Sequence, residues 1–555
     1  MSIAEPDLGA LVAQAVAALG LPGTASAAPS FGGAPAPAVP GFDARLPAPP
    51  AVPGVGAQLP TQPTVAGFGA RIPTHPAVPA FDAQLPARPS ADFGLADTLA
   101  RAATDAPYFL ASPSPIDPAP HVPPTHADVA IPLFSPTTRV PVGAAGPLDV
   151  AAVRRDFPIL ATRVHGRPLV WLDNAATTQK PRAVIERLTR FYETENSNIH
   201  RAAHTLAARA TDAYEAARDS VRRFLGAASR DDIVFVRGAT EGINLLAKSW
   251  GTKNVGPGDE IVLSHLEHHS NIVPWQMLAD AVGARLRVLP VDDRGQLRLE
   301  EAERLIGPRT KIVAVTHVSN ALGTLLPVAE LARLAHRHGA RILVDGAQAV
   351  SHMPVDVGAL GVDFYLFSGH KVFGPTGIGA VFGTPDAWRD TPPWQGGGNM
   401  IADVTFDATR YAEAPARFEA GTGNIADAVG LGAALEYLLE LGMHRIAAHE
   451  EALLAHGTAR LREVPGLHLV GTAAEKAGVL SFVLDGHRPE AVGRALDREG
   501  IAVRSGHHCA QPALRRFGHE ATVRPSLALY NTRDELDLLA DCLHALVRRG
   551  PGRTA

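Results

Sequence analysis

The chain has only two cysteines in 555 residues, Cys509 and Cys542. That excludes a disulfide framework as the main staple and fits a reducing compartment. Neither sign of charge dominates: 51 basic residues face 56 acidic ones, for a net charge of −5. The basic footprint of a nucleic-acid binder is missing. No apolar run is long enough to span a membrane. The longest candidate near the start, Leu8 to Leu21, is short and follows Glu5 and Asp7 rather than basic residues. It reads as a short amphipathic helix, not a signal peptide. These absences point to a cytoplasmic protein that binds neither nucleic acid nor membrane. The length predicts roughly two to four domains.

Lysine is absent from the first 147 residues, and the first is Lys180. The same 147 residues hold 28 of the 47 prolines. Proline lacks a donor and fixes φ, so regular helix or sheet is hard to sustain there. Few large apolar side chains are available to offset ordering entropy. Residues 1–147 are therefore expected to be an extended, mostly disordered segment. Within it, PAVPGFDARLP, PAVPGVGAQLP, PTVAGFGARIP and PAVPAFDAQLP begin at residues 37, 50, 63 and 76, a 13-residue period. Each copy keeps an apolar residue (Phe42, Val55, Phe68, Phe81) four positions before a Leu or Ile. A drifting low-complexity linker is one reading. An array of short motifs that dock in a groove is the other.

From Leu148 the composition becomes globular. Apolar runs at Ile233–Val236, Ile261–Leu263, Lys311–Val315 and Arg341–Val344 alternate with helix-period stretches such as 329–338. That alternation predicts an α/β fold with a mainly parallel sheet, with ligands at the carboxyl ends of its strands. Lys371 follows the run Phe364–Phe367 in a Ser-Gly-His-Lys turn. Alone it would be a solvated lysine, but its context suits a Schiff-base lysine. Asp345 closes another run and opens Asp-Gly-Ala-Gln-Ala. It is either a turn aspartate or the partner of a pyridinium nitrogen, with Gln348 near the ring hydroxyl. Arg237 to Gly242 opens a helix whose amides, with Thr240, can cradle a phosphate. His268, in Glu-His-His-Ser-Asn, could stack on a flat ring. A metal is disfavoured there, because adjacent histidines rarely share one and no further ligands cluster nearby. Cys509 lies in a polar stretch with Arg504, His507 and His508 that favours a thiolate. A zinc site there lacks the usual spacing. Cys542 lies on a Leu539–Leu546 stripe and reads as a structural thiol.

Together these residues resemble the fold-type I pyridoxal-phosphate enzymes. More narrowly, residues from about 148 to 549 are similar to the SUF-type, class II cysteine desulfurases. The stretches that carry the resemblance include FVRGATEGINLLAKSWG, EHHSNIVPWQML, THVSNALGT, VDGAQAV, FSGHKVFGPTGIGAVFG, FEAGT, VRSGHHCAQP and SLALYNT. The resemblance implies a large domain over 148–430, with its first segment contributing to a small domain over 431–555 that carries the cysteine. It implies Lys371 as the Schiff-base lysine, Asp345 at the ring nitrogen, Gln348 at the ring hydroxyl and His268 as stacking acid/base. It implies Thr240, Ser368 and His370 as phosphate ligands, with Thr422 supplied by the other subunit of a homodimer. Asn320, Arg504 and Arg524 would hold the substrate carboxylate, and Cys509 would be the nucleophile. The implied reaction takes L-cysteine to L-alanine, leaving a persulfide on Cys509 for a sulfur-acceptor protein or small thiol. The extension resembles that of the cargo desulfurases of family 2 encapsulin shells. The alternatives are a selenocysteine lyase or cysteine sulfinate desulfinase of the same fold, and a partner-binding scaffold with a decayed enzyme domain.

Overall fold

The computed structural model describes residues 146–200 and 204–550. The expected disordered extension, its repeats and the helix expected over Leu8 to Leu21 lie outside the described residues.

Seven segments, most of them rich in β-branched and aromatic residues, form one sheet. They are β1 (Ile233–Val236), β2 (Glu260–Ser264), β3 (Arg285–Leu289), β4 (Thr310–Thr316), β5 (Arg341–Asp345), β6 (Phe364–Ser368) and β7 (Gly379–Gly383). Their spatial order is β1-β7-β6-β5-β4-β2-β3. β7 is antiparallel to β1 and β6, and every other pairing is parallel. This is the mainly parallel α/β sheet that the alternation predicts. Along β1, Ile233 and Phe235 join one apolar cluster while Val234 and Val236 join another. Because successive side chains point to opposite faces, that split means both faces are covered, which explains the unbroken apolar runs.

The helices that matter for the site are α1 (Arg182–Thr194), α2 (Thr205–Leu225), α3 (Ala239–Leu246), α4 (Val328–Arg337), α5 (Ile425–Leu441), α6 (Met443–Arg462) and α7 (Arg533–Arg549). α2 buries Ala210, Tyr214, Ala217, Val221 and Phe224 as one stripe and ends on Gly226 in the left-handed conformation. α5 is apolar all round and lies against α2. A Cβ on Gly432 would come within 2.9 Å of the Ala217 Cβ, so only glycine lets the two helices approach this closely.

A second, antiparallel sheet is built from β8 (Leu467–Leu469), β9 (Phe482–Leu484), β10 (Arg504–Gly506) and β11 (Thr522–Arg524), in the order β8-β9-β11-β10. The Leu536, Leu539, Leu543, Leu546 stripe of α7 shares a core with Phe482 and Val523. An early segment joins this late one. Val170–Trp171 pairs in parallel with Ile501–Ala502, and Asp173 bridges to Ser526. Among the described residues no helix is long and apolar enough to cross a membrane.

Candidate active site

β5 and β6 run parallel, so Asp345 and Ser368 emerge at the same edge of the sheet. After Ser368 the chain makes one 3-10 turn, Gly369–Lys371. The Gly369 N–H donates to the Ile378 carbonyl at 2.8 Å. The His370 carbonyl accepts from Thr178 N at 2.9 Å and from the Thr177 hydroxyl at 3.0 Å. The backbone that carries Lys371 is therefore held on both sides. Burial pushes the Lys371 ammonium down from its ordinary value, and the Asp345 carboxylate opposes that shift. Burial pushes the Asp345 carboxyl up, against the pull of Lys371 and of the Ala347 N–H. That N–H donates to Asp345 Oδ1 at 2.9 Å. Gln348, also buried, donates from Nε2 to the Ala175 carbonyl at 2.7 Å, which leaves its second N–H free.

His268 caps the short turn His269–Asn271 after β2. Its Nδ1 lies 3.1 Å from the Ser270 N–H, which donates to it, and 2.8 Å from the Ser270 hydroxyl. An acceptor Nδ1 assigns the ring hydrogen to Nε2. Burial first, and the Lys371 charge second, push this imidazole down to about 3, so it is neutral at pH 7. His370 is held at about 4 by burial, Lys371 and Lys180.

Arg504 and Arg524 face each other across the β10–β11 pair. Both reach Asp173. Arg504 Nη2 donates to Asp173 Oδ2 at 3.0 Å, and Arg524 Nη2 donates to Oδ1 at 3.4 Å. Arg524 also donates from Nη1 to the Asn320 carbonyl at 2.9 Å. Asn320 Nδ2 donates to the His508 carbonyl at 2.6 Å. Three buried polar atoms of these residues have no hydrogen-bond partner among the described residues, Arg524 Nε, Asn320 Oδ1 and His508 Nδ1.

Cys509 is exposed and free. His508 and Cys509 both take positive φ, 53° each, a conformation uncommon for residues other than glycine. This turns the thiol outward while His508 turns in, where its Nε2 meets the Thr522 hydroxyl at 2.8 Å. Cys542 is half-buried against the α7 core, and burial raises its pKa.

Thr240 lies in the first turn of α3 with its side chain exposed. Ser368 Oγ accepts the Ala239 N–H at 2.9 Å, which joins the end of β6 to the start of this helix. The Ser368 hydroxyl hydrogen and the next two amides of the helix remain available for an anion. Gly238 has φ 152°, and a Cβ there would meet Ser368 Oγ at 3.1 Å, so glycine keeps the cradle open. These residues fit a phosphate, as Lys371 and Asp345 fit a cationic heteroaromatic ring. Thr422 stands apart, exposed in the turn before α5.

Three contributors escape a reading of the sequence. Asp173 is one. Glu267 is the second, fully buried beside His268. It accepts from Asn271 Nδ2 at 2.6 Å and Thr316 N at 3.1 Å, and it also bonds the Ser264 hydroxyl. Burial raises its carboxyl to about 7, with the Asp345 charge adding to the shift. His269 is the third: its N–H donates to the Cys509 carbonyl at 2.8 Å, and its Nε2 accepts the Gln511 N–H at 3.3 Å. The Glu-His-His run was the available signal for Glu267 and His269, but nothing local showed what they would touch.

A family model described as aminotransferase class-V matches residues 170–539. A cysteine desulfurase from Synechococcus elongatus is 67% identical over 407 residues, covering 73% of this chain and 64% of its own length. The chain thus spans less than two thirds of that relative. A cysteine desulfurase from Klebsiella pneumoniae is 53% identical over 392 residues, 70% of this chain and 96% of the relative. The apo structure of a cysteine desulfurase from Thermococcus onnurineus superposes with a TM-score of 0.70 at 38% identity, covering 73% of this chain and all of that one.

Proposed function

The chain belongs to the aminotransferase class-V family, and from that premise we propose that it is a pyridoxal-phosphate-dependent cysteine desulfurase. The observation that carries the reading is one juxtaposition. An exposed cysteine on a strained turn shares its surroundings with a buried lysine, a buried aspartate and a neutral histidine. The Klebsiella and Thermococcus proteins, both named cysteine desulfurases, support it.

Lys371 would hold the cofactor, with Asp345 Oδ2 toward the ring nitrogen and Gln348 toward the ring hydroxyl. Thr240, Ser368, His370 and a partner subunit's copy of Thr422 would take the phosphate. The exposure of Thr422 supports that homodimeric reading. When bound, pyridoxal phosphate supplies an electron sink for the carbon framework of the substrate. The protein supplies the rest. Arg524 and Arg504 bind the carboxylate of L-cysteine, with Asn320 beside them. Lys371, its ammonium pKa lowered by burial, gives up its proton more readily than an ordinary lysine and can take it back. His268 carries its ring hydrogen on Nε2 and, being neutral, can donate a hydrogen bond from it. The Cys509 thiolate attacks the substrate sulfur. An S–S bond forms, the substrate Cβ–S bond breaks with its electron pair staying on the carbon side, Cβ takes up a proton, and L-alanine leaves. Cys509 retains a persulfide that an acceptor thiol removes.

Residues 1–147 support a second element, recruitment into an encapsulin shell. The support is in the sequence: a regular apolar pair every 13 residues is more than a spacer needs, and the family match begins only at residue 170. We also place the division between large and small domains near residue 430, within α5.

The test of the activity is to supply L-cysteine with a thiol reductant and measure alanine and sulfide. Cys509→Ser should abolish sulfide release and leave cofactor binding intact. Full release by that variant would overturn the assignment and favour a lyase that needs no thiol.

A further inference from the structure

Asp173 lies in the early segment that pairs with the C-terminal part of the chain, and no role above assigns it. Its two oxygens divide between two cations. Oδ2 takes Arg504 through Nε at 3.2 Å and Nη2 at 3.0 Å, and Oδ1 takes Arg524 Nη2 at 3.4 Å. The two arginines differ in freedom. The Arg504 side chain is 50% exposed, whereas that of Arg524 is 3% exposed. A half-exposed arginine has many rotamers, and among the described residues Asp173 is the side chain bonded to it. Like charges on facing residues of neighbouring strands repel, so without an anion between them the pair would splay.

Arg524 has a fixed set of contacts. Nη1 goes to the Asn320 carbonyl, Nη2 to Asp173, and Nε, although buried, to nothing among the described residues. A buried guanidinium N–H without an acceptor is costly unless a ligand completes it. Asn320 Oδ1 is equally unpaired and belongs to the same cluster. The polar atoms left open therefore lie beside those that Asp173 occupies.

We propose that Asp173 is a positioning residue for the carboxylate subsite: it docks Arg504 against Arg524 and orients Arg524 so that its Nε–H stays free for the carboxylate of an amino-acid ligand. This deepens the proposed function and rests on it for the identity of the ligand, but not for the geometry. The backbone at Asp173 is anchored without the side chain. Its carbonyl accepts from Ala176 N at 3.1 Å, and the residue bridges to Ser526. Asn174 separately donates to the Ser526 carbonyl at 2.7 Å. A substitution at 173 is thus expected to fold.

The experiment compares wild type with D173N and D173A as holoenzymes, using calorimetric or visible-absorbance titration with two probes. L-alanine carries the carboxylate, and ethylamine is the same amine without it. Loss of a charge-assisted contact that orders a ligand site predicts about tenfold weaker L-alanine binding, with ethylamine unchanged within about twofold. D173A should lose at least as much as D173N. Three results would overturn the proposal: unchanged alanine affinity, tighter alanine binding (making Asp173 a competitor), or equal weakening of both probes (making it only structural). If wild type binds alanine better than ethylamine but releases no sulfur from cysteine, the desulfurase reading fails and the role of Asp173 stands.

Discussion

Replacing Glu267 by glutamine should change how the stability of the protein depends on pH. Glu267 is fully buried, and its carboxyl is raised from an ordinary value of 4.5 to about 7, chiefly by burial. The folded state therefore holds the proton more tightly than the unfolded chain does. The contribution of this group to stability is complete below about pH 4.5. It falls as pH rises and levels off above about pH 7. Across the whole range the loss is about 3 kcal/mol, of which about 2.5 kcal/mol falls between pH 5 and pH 8. Glutamine does not titrate, so the variant should escape that loss. It will instead carry a constant cost of about 1–3 kcal/mol. Its amide must face the Asn271 NH₂, and Asn271 is not free to flip because its Oδ1 accepts the Trp275 indole N–H at 2.9 Å. Urea unfolding of both proteins at pH 5, 6.5 and 8, with stability taken from midpoint and slope, reads the difference. The variant should be the weaker protein at pH 5 and should gain about 2.5 kcal/mol on wild type by pH 8. Parallel pH curves would show that Glu267 is ionised throughout and refute the argument.

Lys371→Ala should leave a folded protein that lacks the visible absorbance of the bound cofactor and does not turn over cysteine; retained absorbance and turnover would move the Schiff-base role elsewhere. Cys542→Ser should keep full activity and lose about 1 kcal/mol in a denaturant titration, since the thiol is only half-buried. A dead Cys542 variant would reverse the assignment of the two cysteines. Light scattering should give the mass of two chains, whereas a fully active monomer would exclude a partner's Thr422 from the site. Deleting residues 1–147 should leave turnover unchanged and abolish co-purification with an encapsulin shell. Triple alanine substitution at Phe42, Phe68 and Phe81 should weaken recruitment more than any single change, because weak motifs on one tether act together. Recruitment of the truncated enzyme would sink the idea.

Several features of the site were legible because they are local. Lys371 and Asp345 each directly follow or end a short apolar run, and the run, its length and the turn residues after it are contiguous. Buried strands on a mainly parallel sheet place such residues at one edge whatever the rest of the chain does. The separation of the two cysteines follows from the same kind of signal, a leucine-bearing helix around one and a glycine-histidine turn around the other. Resemblance then supplied roles that local chemistry left open, among them those of Asn320, Arg524 and Thr422.

Tertiary structure alone decided which groups control the charged ones. Asp173 meets Arg504 and Arg524 across more than 330 positions of sequence, and an aspartate next to an asparagine in Leu-Asp-Asn-Ala carries no mark of that partnership. Glu267 looks like any polar residue in a turn. It becomes a carboxyl near pH 7 only because the packed sheet excludes water, against the opposing pull of the Thr316 N–H from β4. His269 ties its own turn to the Cys509 loop through one backbone hydrogen bond and one accepted by its ring, both to residues about 240 positions away. The physical reason is common to all three. A strand or a turn is specified by neighbours in sequence, whereas desolvation and long-range hydrogen bonds exist only once distant segments have closed around a charge.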